Sequence, residues 1–185
     1  CPSTIQNIKN GTVTSGAVLL QGVVATVIGP DFYTVQVDGP AVDFGALYVF
    51  TGSTGTKPTA GQVLDVQGTV SDYFGQTQLT DATFTVKSQG TVPAPRLING
   101  ADASPGGSKI KELEAQLVEV QGVTVPSIAP TPITQGTNTE NVTNEFVVTG
   151  DLRVDDHIFL ITPPVQLGQG IASLKGVLRF TWERN

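Results

Sequence analysis

The sequence has few of the residues from which chemical sites are usually built. Its 185 residues include one cysteine, one histidine and no methionine. A single thiol cannot form a disulfide within the chain, and thiolates cannot assemble a zinc site from it. Only 14% of the residues are charged, which is low for a soluble protein. These shortages exclude a disulfide-stapled scaffold and a cysteine-based zinc domain.

Long hydrophobic runs and helical periodicity are also missing. The longest apolar runs, such as 17–20, are far shorter than the roughly twenty residues of a membrane-spanning helix. Apolar residues do not recur at helical spacing over any long window, whereas valine, threonine and glycine are abundant. This composition predicts an all-β chain.

Basic residues are scarce in the first half. The net charge is −6, and Lys57 and Lys87 are the only basic residues between positions 16 and 90, against six aspartates. A surface that follows phosphates needs clustered lysine and arginine. We therefore expect this half not to bind nucleic acid.

One short phrase occurs four times, in two pairs. The segments LQGVV (20–24), VQGTV (66–70), VQGVT (120–124) and LKGVL (174–178) each place a glycine after a long polar residue. A glycine inside a strand pattern indicates a bulge or a bend. The pairing of the phrases indicates two similar units.

The pattern predicts four segments. Residues 1–15 are a tether or an added strand, 16–90 a first barrel, 91–109 a linker rich in Pro, Gly and Ala, and 110–185 a second barrel. Strands are expected at 17–28, 32–38, 47–51, 63–71 and 77–86, and then at 113–125, 145–149, 157–162 and 171–182. Five strands with a long, bent first and fourth strand are typical of the OB-fold, a small Greek-key barrel. The second barrel has one strand too few, so we expect it to be incomplete at its C-terminal end.

Two stretches carry a resemblance to a known group of proteins. GVVATVIGPDFYTVQVDG with GQVLDVQGTVSDYFGQTQLTDATFTV is similar to the OB-like accessory domains of secreted bacterial nucleases and phosphatases. EFVVTGDLRVDDHIFL with IASLKGVLRFTWERN resembles the second domain of tandem OB-like exported lipoproteins of myxobacteria. The resemblance implies two tandem OB-like barrels and export, and its motifs are structural rather than catalytic.

The single cysteine stands at position 1, before a run of small and polar residues. This arrangement matches a bacterial lipoprotein that is cleaved before its cysteine and lipidated on it. We expect Cys1 to be a lipid anchor, the only link to a membrane, and the protein to be exported to the outer membrane, the cell surface or the extracellular space.

Aromatic residues suggest a binding face on the first unit. Alternation places Phe32 on one face of the second strand and turns Tyr48 and Phe50 outward from the third. OB-folds bind oligonucleotides and oligosaccharides on this face. Tyr73 and Phe74, in the turn after the fourth strand, either extend this face or staple their own hairpin. The alternative is that these rings pack under a loop or against the second unit.

No constellation of catalytic residues is present in the sequence. Asp155, Asp156 and His157 are the only acid–histidine group, and they are weak candidates for a metal site, because neighbours on a regular strand point apart. We expect no enzyme activity and no cofactor.

The sequence therefore predicts a non-catalytic structural or adhesion-type binding module at the cell surface, with a protein or glycan as partner. Two alternatives stay open. The chain is an accessory substrate-binding module of an extracellular nuclease or phosphatase system, or it is a fibre subunit that forms homo-oligomers through strand addition by residues 1–15.

Overall fold

A computed structural model describes residues 2–135 and 137–179 of the chain. Strands predominate, and each of the three helices in this part has only four or five residues. The chain is all-β, as predicted. Within the described ranges, no helix is long and apolar enough to cross a membrane. The lipidation site predicted at Cys1 lies outside them.

The first unit is a closed five-stranded barrel. Its strands are β1 (Gly16–Ile28), β2 (Phe32–Gln36), β3 (Ala46–Phe50), β4 (Gln62–Tyr73) and β5 (Gln76–Gln89). They follow one another around the barrel in the order β1-β2-β3-β5-β4, with β3 and β5 parallel and the other pairs antiparallel. All five predicted strands are present, because alternating apolar residues and short turns define each of them.

The segment before the barrel is not a tether. Helix α1 (Ile5–Lys9) begins after Thr4, whose Oγ1 accepts a hydrogen bond from the Asn7 N–H at 3.1 Å. Ile5 and Ile8, one helical turn apart, are buried in the barrel core. The prediction of a tether or a donated strand at residues 1–15 is therefore wrong, because its two apolar side chains lie on one helical face and fill the core of their own barrel.

The second unit has the remaining elements. These are β6 (Arg96–Leu97), α2 (Gly100–Ala103), α3 (Ile110–Leu113), β7 (Leu117–Thr124), β8 (Thr134–Gln135), β9 (Asn138–Thr139), β10 (Phe146–Val148), β11 (Leu152–Val154) and β12 (Gly170–Val177). They form the sheets β12-β7-β6, β10-β11 and β8-β9. Over the described residues these sheets do not join into a second closed barrel.

The second unit departs from its predicted strands in two places. The expected strand at 113–125 begins with α3 instead, and β7 starts only at Leu117. No strand forms at 157–162, where Phe159 is exposed and two prolines follow. Proline lacks the N–H that a strand ladder needs, which ends pairing there. Residues 180–182 of the last predicted strand lie outside the described part.

The predicted linker belongs to the second unit. The Ser3 N–H donates to the Leu19 carbonyl at 2.8 Å, just before the capped helix α1. In the same way, the Ile98 N–H donates to the Glu119 carbonyl at 2.9 Å, just before α2, which Asn99 caps. Each unit thus opens with a parallel edge contact, a cap and a short helix. The linker prediction for 91–109 is wrong from Arg96 onward, because this stretch repeats the start of the first unit.

The glycines of the repeated phrase have two different roles. Gly22 and Gly122 both have a left-handed backbone, with φ of +66° and +61°. This turn directs Leu20 and Val23 into the first core although they are three residues apart. Val120 and Val123 enter the second core in the same way. Gly68, in contrast, has to be a residue without a side chain, because a Cβ there would lie 3.2 Å from the Cβ atoms of Leu79 and Ala82.

We expect Gly22→Ala to destabilise the chain by about 1 kcal/mol, since a left-handed backbone costs an L-residue that much. No atom lies within 4 Å of the added methyl group, so the cost comes from the backbone alone. Gly170→Ala is the control, because that glycine also meets no atom but has no positive φ. Urea denaturation measures both variants. Equal midpoints for Gly22→Ala and the unsubstituted chain would contradict the assignment.

Candidate functional site

The outward face of β2 and β3 is buried between the two units. Phe32 and Tyr48 stack with ring centroids 4.5 Å apart, and both are buried. The Arg179 guanidinium lies 5.1 Å from each ring centroid, which is a cation–π distance. Ala115, from the start of the second unit, packs into the same cluster. We call this cluster the aromatic interface.

For Phe32 and Tyr48 the structure shows packing against the second unit, the alternative to a ligand-facing surface. The alternation along both strands was correctly read, since these rings point away from the barrel core. What they meet is the second unit, because two large rings gain more from burial against another apolar surface than from exposure. Burial also raises the pKa of the Tyr48 hydroxyl, which keeps it neutral.

Polar contacts extend the aromatic interface on both sides. The Gln116 side-chain amide donates to the Val42 carbonyl at 2.8 Å. The Arg96 guanidinium lies 2.7 Å from the Asp43 carboxylate. Both contacts join the loop between β2 and β3 to the second unit. The outward face of β2 and β3 is thus occupied by the chain itself.

The other predicted aromatics are exposed but do not form one surface. Phe50 lies at the end of β3, whereas Tyr73 and Phe74 lie at the turn between β4 and β5. Because β3 runs parallel to β5, Phe50 stands about four residues, roughly 13 Å, beyond that turn. Tyr73 and Phe74 contact each other edge to face at 4.7 Å. Of these three side chains, Tyr73 and Phe74 are the two that contact each other.

The acid–histidine group is spread over separate contacts. His157 Nε2 lies 3.0 Å from Asp31 Oδ1 of the first unit, and its ring stacks on Phe32 at 5.7 Å. The Asp155 carboxylate accepts the His157 N–H at 3.1 Å, while Asp156 accepts from Asn144 at 2.8 Å. The described ranges contain no group of three or more His, Cys, Asp or Glu residues that could hold a metal ion. His157 instead joins the two units.

A large cleft opens in the second unit. It has a volume of about 830 Å³, and its lining comes from β7, β10, β11 and β12 and from the segment that follows β11. Its lining is mainly apolar and includes Val118, Val120, Phe146, Leu152, Val154 and Leu174. A cleft of this size and character is suited to binding. We call it the β11–β12 cleft.

One end of the β11–β12 cleft is charged. The Arg153 guanidinium lies 2.9 Å from the Glu140 carboxylate and also pairs with Glu145. Burial raises the pKa of the Glu145 carboxyl, and the bond from Arg153 only partly opposes this effect. Arg153 thus pairs with both acidic side chains at this end, while most of the other lining side chains are apolar.

The first unit shows what fills the corresponding place in a closed barrel. There, β5 pairs antiparallel with β4 and parallel with β3, and closes the barrel. In the second unit β12 pairs with β7 as β4 does with β1, and β10 pairs with β11 as β2 does with β3. Within the described ranges, no strand lies between β11 and β12.

The surroundings of Gly176 show the same difference between the two units at a single residue. It occupies in β12 the place that Gly68 has in β4, in the fourth and second copies of the repeated phrase. A Cβ on Gly68 would press on β5, whereas a Cβ on Gly176 would meet no atom within 4 Å. Among residues 2–135 and 137–179, nothing therefore covers the side of β12 that bears Gly176.

Sequence reasoning missed β11 and with it the cleft. A signal was present in FVVTGDLRV, where Gly150 and Asp151 separate two apolar runs. Both residues have positive φ, at +91° and +60°, within the three-residue loop between the paired residues Val148 and Leu152. The turn predicts a hairpin, but the width of the gap between β11 and β12 depends on contacts between distant segments.

No protein-family model, no curated protein and no solved structure matches this chain. The candidate site therefore rests on the geometry of the β11–β12 cleft.

Proposed function

We propose that the chain is a non-catalytic binding module made of two OB-type units, of which the second binds an extended polypeptide segment in the β11–β12 cleft. The strand order of the first barrel supports the OB assignment, because a closed Greek-key barrel of five strands has this plan. Both units begin with an edge contact, a capping residue and a short helix, and this common beginning supports the same assignment for the second unit.

The edge of β12 that pairs with no other described strand is the observation that carries the proposal. An unpaired edge presents N–H and C=O groups that another strand can pair with. Leu174 and Val177 of β12 line the apolar cleft, so an incoming strand gains both backbone hydrogen bonds and burial of alternate side chains. A polypeptide fits this combination better than a glycan, which offers no strand ladder.

Residues 76–89 provide a probe of known geometry, because this strand fills the equivalent place in the first barrel. We expect a labelled peptide of this sequence, QTQLTDATFTVKSQ, to bind the full chain saturably in fluorescence anisotropy. A scrambled peptide of the same composition should not bind. Gly176→Val should weaken binding at least tenfold, because the added side chain occupies the space of the incoming strand.

Gly170→Val is the matched control, since Gly170 lies in the same strand but does not line the cleft. It should leave the affinity within about twofold. Absence of binding, or equal binding by the Gly176→Val chain, would overturn the proposal. Binding of a single-stranded oligonucleotide in place of the peptide would favour the accessory-module alternative. Lipidation of Cys1 and location at the cell surface stay predictions of the sequence.

A further inference from the structure

A buried amine and a buried carboxylate meet where the two units join. Lys9 is the last residue of α1 in the first unit, and Glu114 follows α3 in the second. Their side chains are 1% and 0% exposed, and the Lys9 Nζ is in direct contact with the Glu114 Oε2. No other ion pair of the described residues is buried to this degree.

The surroundings offer these two groups few other hydrogen-bond partners. The Thr77 N–H donates to the Glu114 Oε1 at 3.1 Å, so one carboxylate oxygen is held in place. Neither the Lys9 Nζ nor the Glu114 Oε2 has a hydrogen-bond partner within the described part of the chain. An ion pair without supporting hydrogen bonds is poorly stabilised in an apolar interior, because burial removes the hydration of both charges.

Burial disfavours the charged form of the Lys9 amine. Burial, together with the nearby charge of Lys111, lowers the pKa of the Lys9 ammonium to about 7. A neutral amine is a nucleophile, and a carboxyl that has taken up its proton is the matching electrophile. The two groups are held together by the fold, which replaces an encounter in solution by a fixed contact.

We propose that Lys9 and Glu114 condense into an intramolecular isopeptide bond that links the two units. The ammonium proton passes to Glu114, and the neutral Nζ attacks the carboxyl carbon. The Thr77 N–H stabilises the negative charge that forms on Oε1. Oε2 then leaves as water with two protons from Nζ and the carboxyl group, and an amide remains. Ammonium and carboxylate give amide and one water, so the step needs no other reactant.

Mass spectrometry of the full chain under denaturing conditions tests the bond. We expect the mass to be lower than the sequence mass by one water molecule. Digestion should give a branched peptide that joins the segments around residues 9 and 114. Lys9→Arg should restore the full sequence mass and remove the branched peptide, since the guanidinium stays protonated.

Lys87→Arg is the matched control, because Lys87 pairs with Asp65 at 3.4 Å but is largely exposed. That variant should keep the loss of water. An unsubstituted chain with its full sequence mass would overturn the proposal. Loss of water that persists in the Lys9→Arg chain, or that maps to other residues, would overturn it as well.

Discussion

Phe32→Ala is expected to destabilise the chain by about 3–5 kcal/mol, the usual cost of removing a buried phenylalanine ring. Phe32 is 0% exposed at the aromatic interface, where it contacts Tyr48, His157 and Arg179. Its removal leaves a cavity between the units and withdraws the ring on which Arg179 and His157 lie. We therefore also expect the two units of the Phe32→Ala variant to unfold less cooperatively with each other.

Phe50→Ala is the matched control for this prediction. Phe50 is the direct partner of Phe32 across the β2–β3 ladder, but it is 42% exposed. Its truncation should change the free energy of unfolding by only about 0.5 kcal/mol. Urea denaturation followed by circular dichroism measures both variants, and a biphasic curve for Phe32→Ala would report separate unfolding of the units. Equal, small effects would show that the interface does not hold the units together.

Gly68→Val is expected to destabilise the first barrel by about 1–3 kcal/mol, the range for overpacking of a filled core. Even a Cβ at this position would lie 3.2 Å from the Thr80 carbonyl oxygen and from two side chains of β5. A valine adds two more methyl groups against the same strand. Because β4 and β5 close the barrel, neither can move away without breaking the ladder between them.

Gly176→Val should leave the stability of the free chain within about 0.5 kcal/mol. The substitution meets open space, and the backbone there has no positive φ. Thermal and urea denaturation of the two variants, side by side, measure how differently the two units tolerate a side chain at these glycines. A large loss of stability in Gly176→Val would show that this side of β12 is covered in the free chain.

Much of the fold could be predicted from residue patterns because the signals are local. The strand at 17–28 is present almost to the residue, since alternation and the following GPD turn define it. The bend at Gly22 was also correctly predicted from a glycine within a strand. Residues 5–9 were misread because a five-residue helix with two isoleucines has too few repeats to show a helical period.

The binding face was misplaced for a different reason. Alternation indicates which side chains leave the core of a strand, as it did for Phe32 and Tyr48, but not what they meet afterwards. The second unit covers them through Ala115 and Arg179, which are far away in the sequence. The β11–β12 cleft was missed because a gap between strands is a property of their spacing, which no single segment encodes.

The sequence by itself determined the all-β class, the five strands of the first unit and the two-unit repeat, because periodicity, turns and glycine positions act over a few residues. Tertiary structure alone decided the rest. It buried the aromatic face, joined Lys9 to Glu114 across the interface and left β12 open beside Gly176. These features depend on which distant surfaces meet, since burial and pairing energies are gained only between segments that the fold brings together.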